Sequence, residues 1–213
     1  MLFLIKKLIK IKKNRGMSYI ELIVVLSIFS VMTSVVLFNY GAFQAKVDIK
    51  NLASDIALKV VEAQKSALSG LLPPMVQQTQ VDSTWKPSYG VYFNLSPVSE
   101  NKNFIYFTDL GNAGSPSNNL YDTSSCPGNG ECLDKIIITK GNYISRLDVF
   151  YQDGTSASLN NLTITFSRPN SGAIIKSSTS FTSTVSYVQI TITSPKLITA
   201  RIKLYPSGRI QVN

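Results

Sequence analysis

From Leu22 to Phe38 the chain carries no charge, and this stretch limits its folding more than any other. A helix rises about 1.5 Å per residue, and a bilayer core of about 30 Å takes about 20 apolar residues to cross. With Met17 to Ile20 in front, the stretch is long enough to span. One acid, Glu21, stands at its start. A carboxylate is costly in lipid, so an acid there marks a candidate functional residue. Met17 and Glu21 are four residues apart, a spacing that predicts a shared helix face.

Charge is distributed unevenly. The formal net charge is +9, but Lys6, Lys7, Lys10, Lys12, Lys13 and Arg15 all precede Gly16. Without those six, 21 − 6 = 15 basic residues face 12 acidic ones, a balance of +3. The basic excess therefore reads as a topology signal that keeps the N-terminal side cytoplasmic. It gives little support to a nucleic-acid partner for the chain as a whole. Met1 to Gly16 mixes Leu2, Phe3, Leu4, Ile5, Leu8, Ile9 and Ile11 with lysines. Two forms fit that mixture, a segment lying along the membrane face and an unstructured basic tail.

A basic leader ending in Gly16, then Met17-Ser18-Tyr19-Ile20-Glu21 and an unbroken apolar helix, resembles the class III signal of type IV pilins and type II secretion pseudopilins. The resemblance implies cleavage by a prepilin peptidase between Gly16 and Met17 and N-methylation of Met17. It makes Glu21 the fifth residue of the mature chain, the position at which the family uses a glutamate for assembly. Met17 stands where the family usually has phenylalanine, and Ser18-Tyr19 where it usually has Thr-Leu. The glycine and the glutamate are untouched by these departures. After cleavage the Met17 amine is a cation beside a carboxylate, which keeps the carboxylate charged. Between chains, such a pair would fix the axial register of an incoming subunit. The competing reading is an acid that complements the helix dipole.

Ser18 to about Ser69 reads as one long helix, about 75 Å at the standard rise. Its second half carries Ile49, Leu52, Ile56, Val60, Ala63 and Ala67 at steps of three and four, a stripe for packing on a domain. Gly41 is a candidate soft point between the halves, and Gly70 with Pro73-Pro74 ends the helix. Met75 to Lys86 is expected to be a loop or an edge strand. From Tyr89 the pattern turns to strands: 90–94, 104–109, 135–139, 144–151, 162–168, 173–177, 187–194, 197–205 and 209–212. Val188, Ile190 and Ile192 alternate with Gln189, Thr191 and Thr193, as a half-buried antiparallel strand does. The expected organisation is a leader over 1–16, a long helix over 17–70 (17–40 for the membrane or filament core, 41–70 amphipathic) and a β-rich domain over 71–213. The fold class is α+β. By the resemblance it is a pilin fold, a long N-terminal helix packed on an antiparallel β-sheet domain.

Tyr89-Gly90-Val91-Tyr92-Phe93, Tyr106-Phe107-Thr108-Asp109 and Pro206-Ser207-Gly208-Arg209-Ile210 look like parts of the H-type pseudopilins and the related minor pilins of the FimT group. Residues 112–186 are not diagnostic. Ordinary core strands of any β domain would look alike.

Histidine is absent, which removes the commonest general base and metal ligand. There is no phosphate-binding glycine loop and no metalloprotease or serine-hydrolase motif, so neither an enzyme nor a cofactor is expected. Cys126 and Cys132 lie in Cys-Pro-Gly-Asn-Gly-Glu-Cys. In an exported domain that spacing reads as a disulfide, with free thiols or a shared metal as the alternatives. Major pilins carry a cysteine pair around a large C-terminal loop; the small loop here favours a minor subunit. Asp109, Asn112 and Asp122 share a long polar loop and offer oxygen ligands for calcium. They lack the EF-hand spacing, so solvated loop residues are the favoured reading. Asn161-Leu162-Thr163 fits a glycosylation acceptor, which the prokaryotic leader discounts.

Lys196, Arg201, Lys203 and Arg209 form a basic group near the C-terminus that could meet DNA phosphates. Stacking partners look few beyond Tyr205, and a solvated outer face competes with the DNA reading. The expected function is a structural minor pilin or pseudopilin. Its expected partners are other subunits, the prepilin peptidase and an inner-membrane assembly platform. It would cross the cytoplasmic membrane once, with its domain outside the cytoplasm. DNA uptake is the alternative.

Overall fold

The protein is described here by a computed structural model covering residues 16–81, 85–111, 117–122, 126 and 130–213. The expected leader up to Arg15, and Asn112 of the calcium reading, lie outside the described residues. The chain divides into two compact units between Gly41 and Ala42. The helix α1, Tyr19–Ser69, runs unbroken for 51 residues through that boundary.

Ser18 starts the helix. The Leu22 N–H donates to its carbonyl at 3.1 Å and the Glu21 N–H to its Oγ at 3.4 Å, so a hydroxyl satisfies one of the first-turn donors. The end is equally well defined. Gly70 adopts a left-handed φ of +70°. Its N–H reaches the Ala67 carbonyl at 3.2 Å and the Leu71 N–H reaches Ser66 at 3.1 Å, the paired arrangement of a glycine C-cap.

In the second unit Ile49, Ala53, Ile56, Val60, Ala63 and Ala67 of α1 are buried, with Leu52 partly so. They join one apolar cluster with residues of two antiparallel five-stranded sheets. The α+β class holds, with the strands sorted into two sheets. The first sheet has the order β3-β2-β1-β6-β7. Its strands are β1 Ser88–Asn94, β2 Asn103–Thr108, β3 Cys132–Ile137, β6 Asn161–Ser167 and β7 Asn170–Lys176. The second has the order β10-β9-β8-β4-β5. Its strands are β4 Tyr143–Tyr151, β5 Ser156–Leu159, β8 Val185–Thr193, β9 Thr199–Leu204 and β10 Ile210–Val212. The alternation predicted for β8 holds from Val188 to Ile192: Val188, Ile190 and Ile192 are buried, while Gln189 and Thr191 are only partly covered; Thr193, expected on the open side, is buried.

Two local expectations are corrected. Residues 75–78 form a short helix, α2 (Met75–Gln78), rather than a loop or strand. The Gln77 and Gln78 N–H groups close on the Pro74 carbonyl at 2.9 and 3.1 Å, and Gln77 is buried. Strand β5 was not expected because Ser156-Ala157-Ser158-Leu159, though it alternates, is only four residues long and has no β-branched or aromatic side chain. Pairing with β4, Leu147 opposite Leu159, supplies what propensity does not.

The first sheet is covered on both faces. All six residues of β2 are buried. Phe104 and Tyr106 point into the main cluster, and Ile105 and Phe107 into a smaller one with Cys132, Tyr92, Tyr121 and Cys126. Gly90 of β1 sits directly opposite Phe107. A Cβ there would lie 2.6 Å from the Ile164 carbonyl oxygen and 2.8 Å from the Phe107 ring. The glycine makes room for the ring to lie over the strand.

Candidate functional site

Gly16 and Met17 are exposed ahead of α1, and Glu21 is exposed in its first turn. Because Ser18 caps the helix, Met17 precedes the first helical residue. The helical spacing predicted for Met17 and Glu21 therefore does not set them on one face. Behind Glu21 the large apolar side chains from Leu22 to Phe38 are exposed, reaching 86% at Phe38. The most apolar window of α1 has none of its residues buried, and the helix is long and apolar enough to cross a membrane. A core helix of a soluble domain would instead hide such a window. Hydroxyls inside the stretch turn back onto the helix: Ser27 Oγ donates to the Val24 carbonyl at 2.8 Å, and Thr33 donates to Phe29. These two hydroxyls are thereby satisfied within the segment, as an apolar surrounding demands.

A second locus lies where the long loop leaves β2 and returns to β3. Cys126 and Cys132 are disulfide-bonded, with Cα atoms 5.5 Å apart. Beside them two acids organise the loop backbone. Asp109 accepts from the Gly111 N–H at 3.2 Å and the Asn119 N–H at 2.6 Å. Glu131 accepts from the Leu110 N–H at 3.4 Å and the Asp122 N–H at 2.8 Å. Asp109 is completely buried and Glu131 is 8% exposed, so the solvated reading of Asp109 is overturned. Burial pushes Glu131 up from 4.5 to about 7; the Asp122 and Leu110 N–H bonds oppose this, and the charges of Asp109 and Asp122 add to it. Burial also raises Asp109, against its N–H bonds from Asn119 and Gly111. Among the described residues no group of three histidines, cysteines or acids is placed to hold a metal ion. The sequence signal for Glu131 was its place beside Cys132, which the disulfide reading left aside.

The third locus is the outer face of the second sheet. Arg201 and Lys203 share one face of β9, and Lys203 stands opposite Gln189 of β8 and Gln211 of β10. Lys203 Nζ is 4.9 Å from the centre of the Tyr187 ring, and the Arg209 guanidinium is 4.0 Å from that of Tyr205. Tyr187 stacks on Phe150 at 4.5 Å and leans on Tyr205 at 5.6 Å. The expectation that stacking partners are few is thus corrected. Phe150 and Tyr187 are directly paired across β4 and β8, a juxtaposition set by strand register and invisible in a linear reading. Lys196 lies outside this group, in the β8–β9 turn. Gly208, with φ +84°, lets the last turn close under Arg209, because a Cβ there would lie 2.5 Å from Gln64 of α1.

No family model matches the chain, no curated protein is similar to it, and no solved structure matches it.

Proposed function

We propose that this protein is a minor subunit of a pilin-like filament, either a type IV pilus or the pseudopilus of a type II secretion system. It is processed between Gly16 and Met17 and assembled through α1. The observation that carries this reading is the bare apolar length from Leu22 to Phe38, placed directly behind Met17 and Glu21. The apolar length stores the subunit in the cytoplasmic membrane, crossing once, with the β domain outside the cytoplasm. Other subunits, the prepilin peptidase and the inner-membrane assembly platform are its partners.

Moving such a helix from lipid into a bundle of like helices exchanges one apolar surrounding for another, so burial supplies little drive. The acid supplies selectivity instead. An ionised carboxylate deep in the bilayer costs about 2.5–3.5 kcal/mol on insertion scales. Pairing Glu21 with the Met17 amine of a neighbour offsets that cost only in the correct register. Once the leader has been removed, assembly itself makes and breaks no covalent bond. The test is Glu21→Ala, with cleavage, membrane insertion and filament incorporation measured separately. Cleavage and insertion are expected to persist while incorporation falls; normal incorporation would remove the pairing mechanism.

One observation favours a second reading, a minor pilin that binds DNA during uptake. Lys203 and Arg209 ride on aromatic rings beside Arg201, combining cations and stacking surface as single-strand binders do. Reversing Arg201, Lys203 and Arg209 to glutamate separates the two. Loss of salt-sensitive DNA retention with filaments intact favours uptake; unchanged retention rejects it.

A further inference from the structure

The loop between β2 and β3 is tied at its root by two buried acids, and its described part is docked by several independent contacts. Tyr121 lies 5.0 Å from Tyr92 and 5.3 Å from Phe107, ring to ring. Trp85 Nε1 donates to the Asp109 carbonyl at 2.8 Å, and Gln77 Nε2 to the Gly130 carbonyl at 3.4 Å. Lys176 Nζ donates to the Asn118 carbonyl at 2.5 Å. All of these converge on the backbone that Asp109 and Glu131 hold through four N–H bonds.

We propose that this root is an acid-stabilised clasp: the loop docks most firmly while Asp109 and Glu131 carry at most one negative charge between them, and loosens once both ionise. Two carboxylates withdrawn from water into one site resist carrying two charges. Among the described residues the charged and titratable neighbours do not reverse this. Glu131 faces Asp109, Asp122 and Tyr121. Tyr121 in turn faces Tyr92 of β1 and Glu100, and Glu100 is paired with Lys135 of β3 at 3.5 Å. The nitrogen of Lys176 is engaged by the Asn118 carbonyl, and α2 contributes the uncharged Gln77. Loosening withdraws Tyr121 from Phe107 and Tyr92 and bares an apolar strip of β1 and β2. The Cys126–Cys132 bond keeps the loop tethered beside it.

Trp85 is the only tryptophan, and its indole reports on the clasp directly. The experiment is a fluorescence titration of the full chain in detergent micelles between about pH 5 and pH 8.5. The wild type is expected to show one reversible transition centred near neutrality. Glu131→Gln should abolish it and leave the spectrum of the docked form. Asp122→Asn, which removes a neighbouring negative charge that raises Glu131, should move the midpoint to lower pH than in the wild type. A flat wild-type titration, or a transition that survives Glu131→Gln, overturns the clasp. If Glu131→Gln does not fold, an Asp122→Asn midpoint identical to the wild type overturns it.

Discussion

Replacing Gly90 with alanine tests the packing of the first sheet at its most crowded point. The new methyl would sit 2.6 Å from the Ile164 carbonyl oxygen, 2.7 Å from Thr165 Cγ2 and 2.8 Å from Phe107 Cε1. Two effects oppose each other. Alanine restricts the unfolded chain more than glycine does, a gain of about 0.4–1 kcal/mol where the native backbone accepts it. Overpacking a filled site costs about 1–3 kcal/mol. The overpacking wins here because one of the three neighbours is backbone. Ile164 is paired with Val91, and Gly90 with Thr165, in the β1–β6 register. The carbonyl therefore cannot retreat without loosening that pairing. A net loss of about 1–2 kcal/mol follows, a fall in melting temperature of roughly 2–8 °C for a unit of this size. The assay is thermal unfolding of the full chain in detergent, followed by circular dichroism and Trp85 fluorescence. Phe107→Leu on the same background should restore only part of the loss, since it relieves one contact of three. A melting temperature within a degree of wild type, or complete rescue by Phe107→Leu, would refute the reasoning.

Other perturbations follow from the same contacts. Ile56→Ala empties a fully buried position where α1 meets the sheets, and should cost about 2–5 kcal/mol in denaturant unfolding. Cys126→Ser with Cys132→Ser opens a closure of six residues in sequence separation, and loop entropy puts the loss at about 2 kcal/mol in the same assay. The pH dependence of stability has a definite sign: Glu131 is raised from 4.5 to about 7 on folding, so the folded state holds the extra proton between those values. Its contribution is complete below about pH 4.5 and is lost as pH rises through about 7, by at most about 3 kcal/mol. Urea unfolding of wild type and Glu131→Gln at pH 5 and pH 8 measures it, and the variant should show the smaller difference.

The long helix and its two characters were legible because each leaves a periodic mark. The charge-free run to Phe38 and the steps from Ile49 to Ala67 are local patterns, and a helix satisfies its backbone within itself. Strand β8 was legible for the same reason, through the alternation of Val188, Ile190 and Ile192. What was not legible depends on partners distant in sequence. Sorting of the strands into two sheets is decided by which edges meet, as when β1 pairs with β6 across the whole of β4 and β5. Strand β5 and helix α2 owe their form to the surfaces they lie on. The same holds for the sites. Arg201, Lys203 and Arg209 could be read as a basic group, but their aromatic supports Tyr187 and Phe150 come from register. Asp109 looked like a loop acid because nothing nearby in sequence shows that its carboxylate is needed by the amides of Gly111 and Asn119.

The most direct test of the central claim is mass spectrometry of sheared surface filaments and of the cell envelope, with this chain's N-terminus read and its amount compared with every other pilin-like subunit. The account predicts a mature chain beginning at N-methylated Met17, present as a trace component of filaments or held with the envelope as part of a pseudopilus. A mature chain that still carries Arg15 and Gly16 would contradict the processing, and a chain that dominates the filaments would contradict its place as a minor subunit.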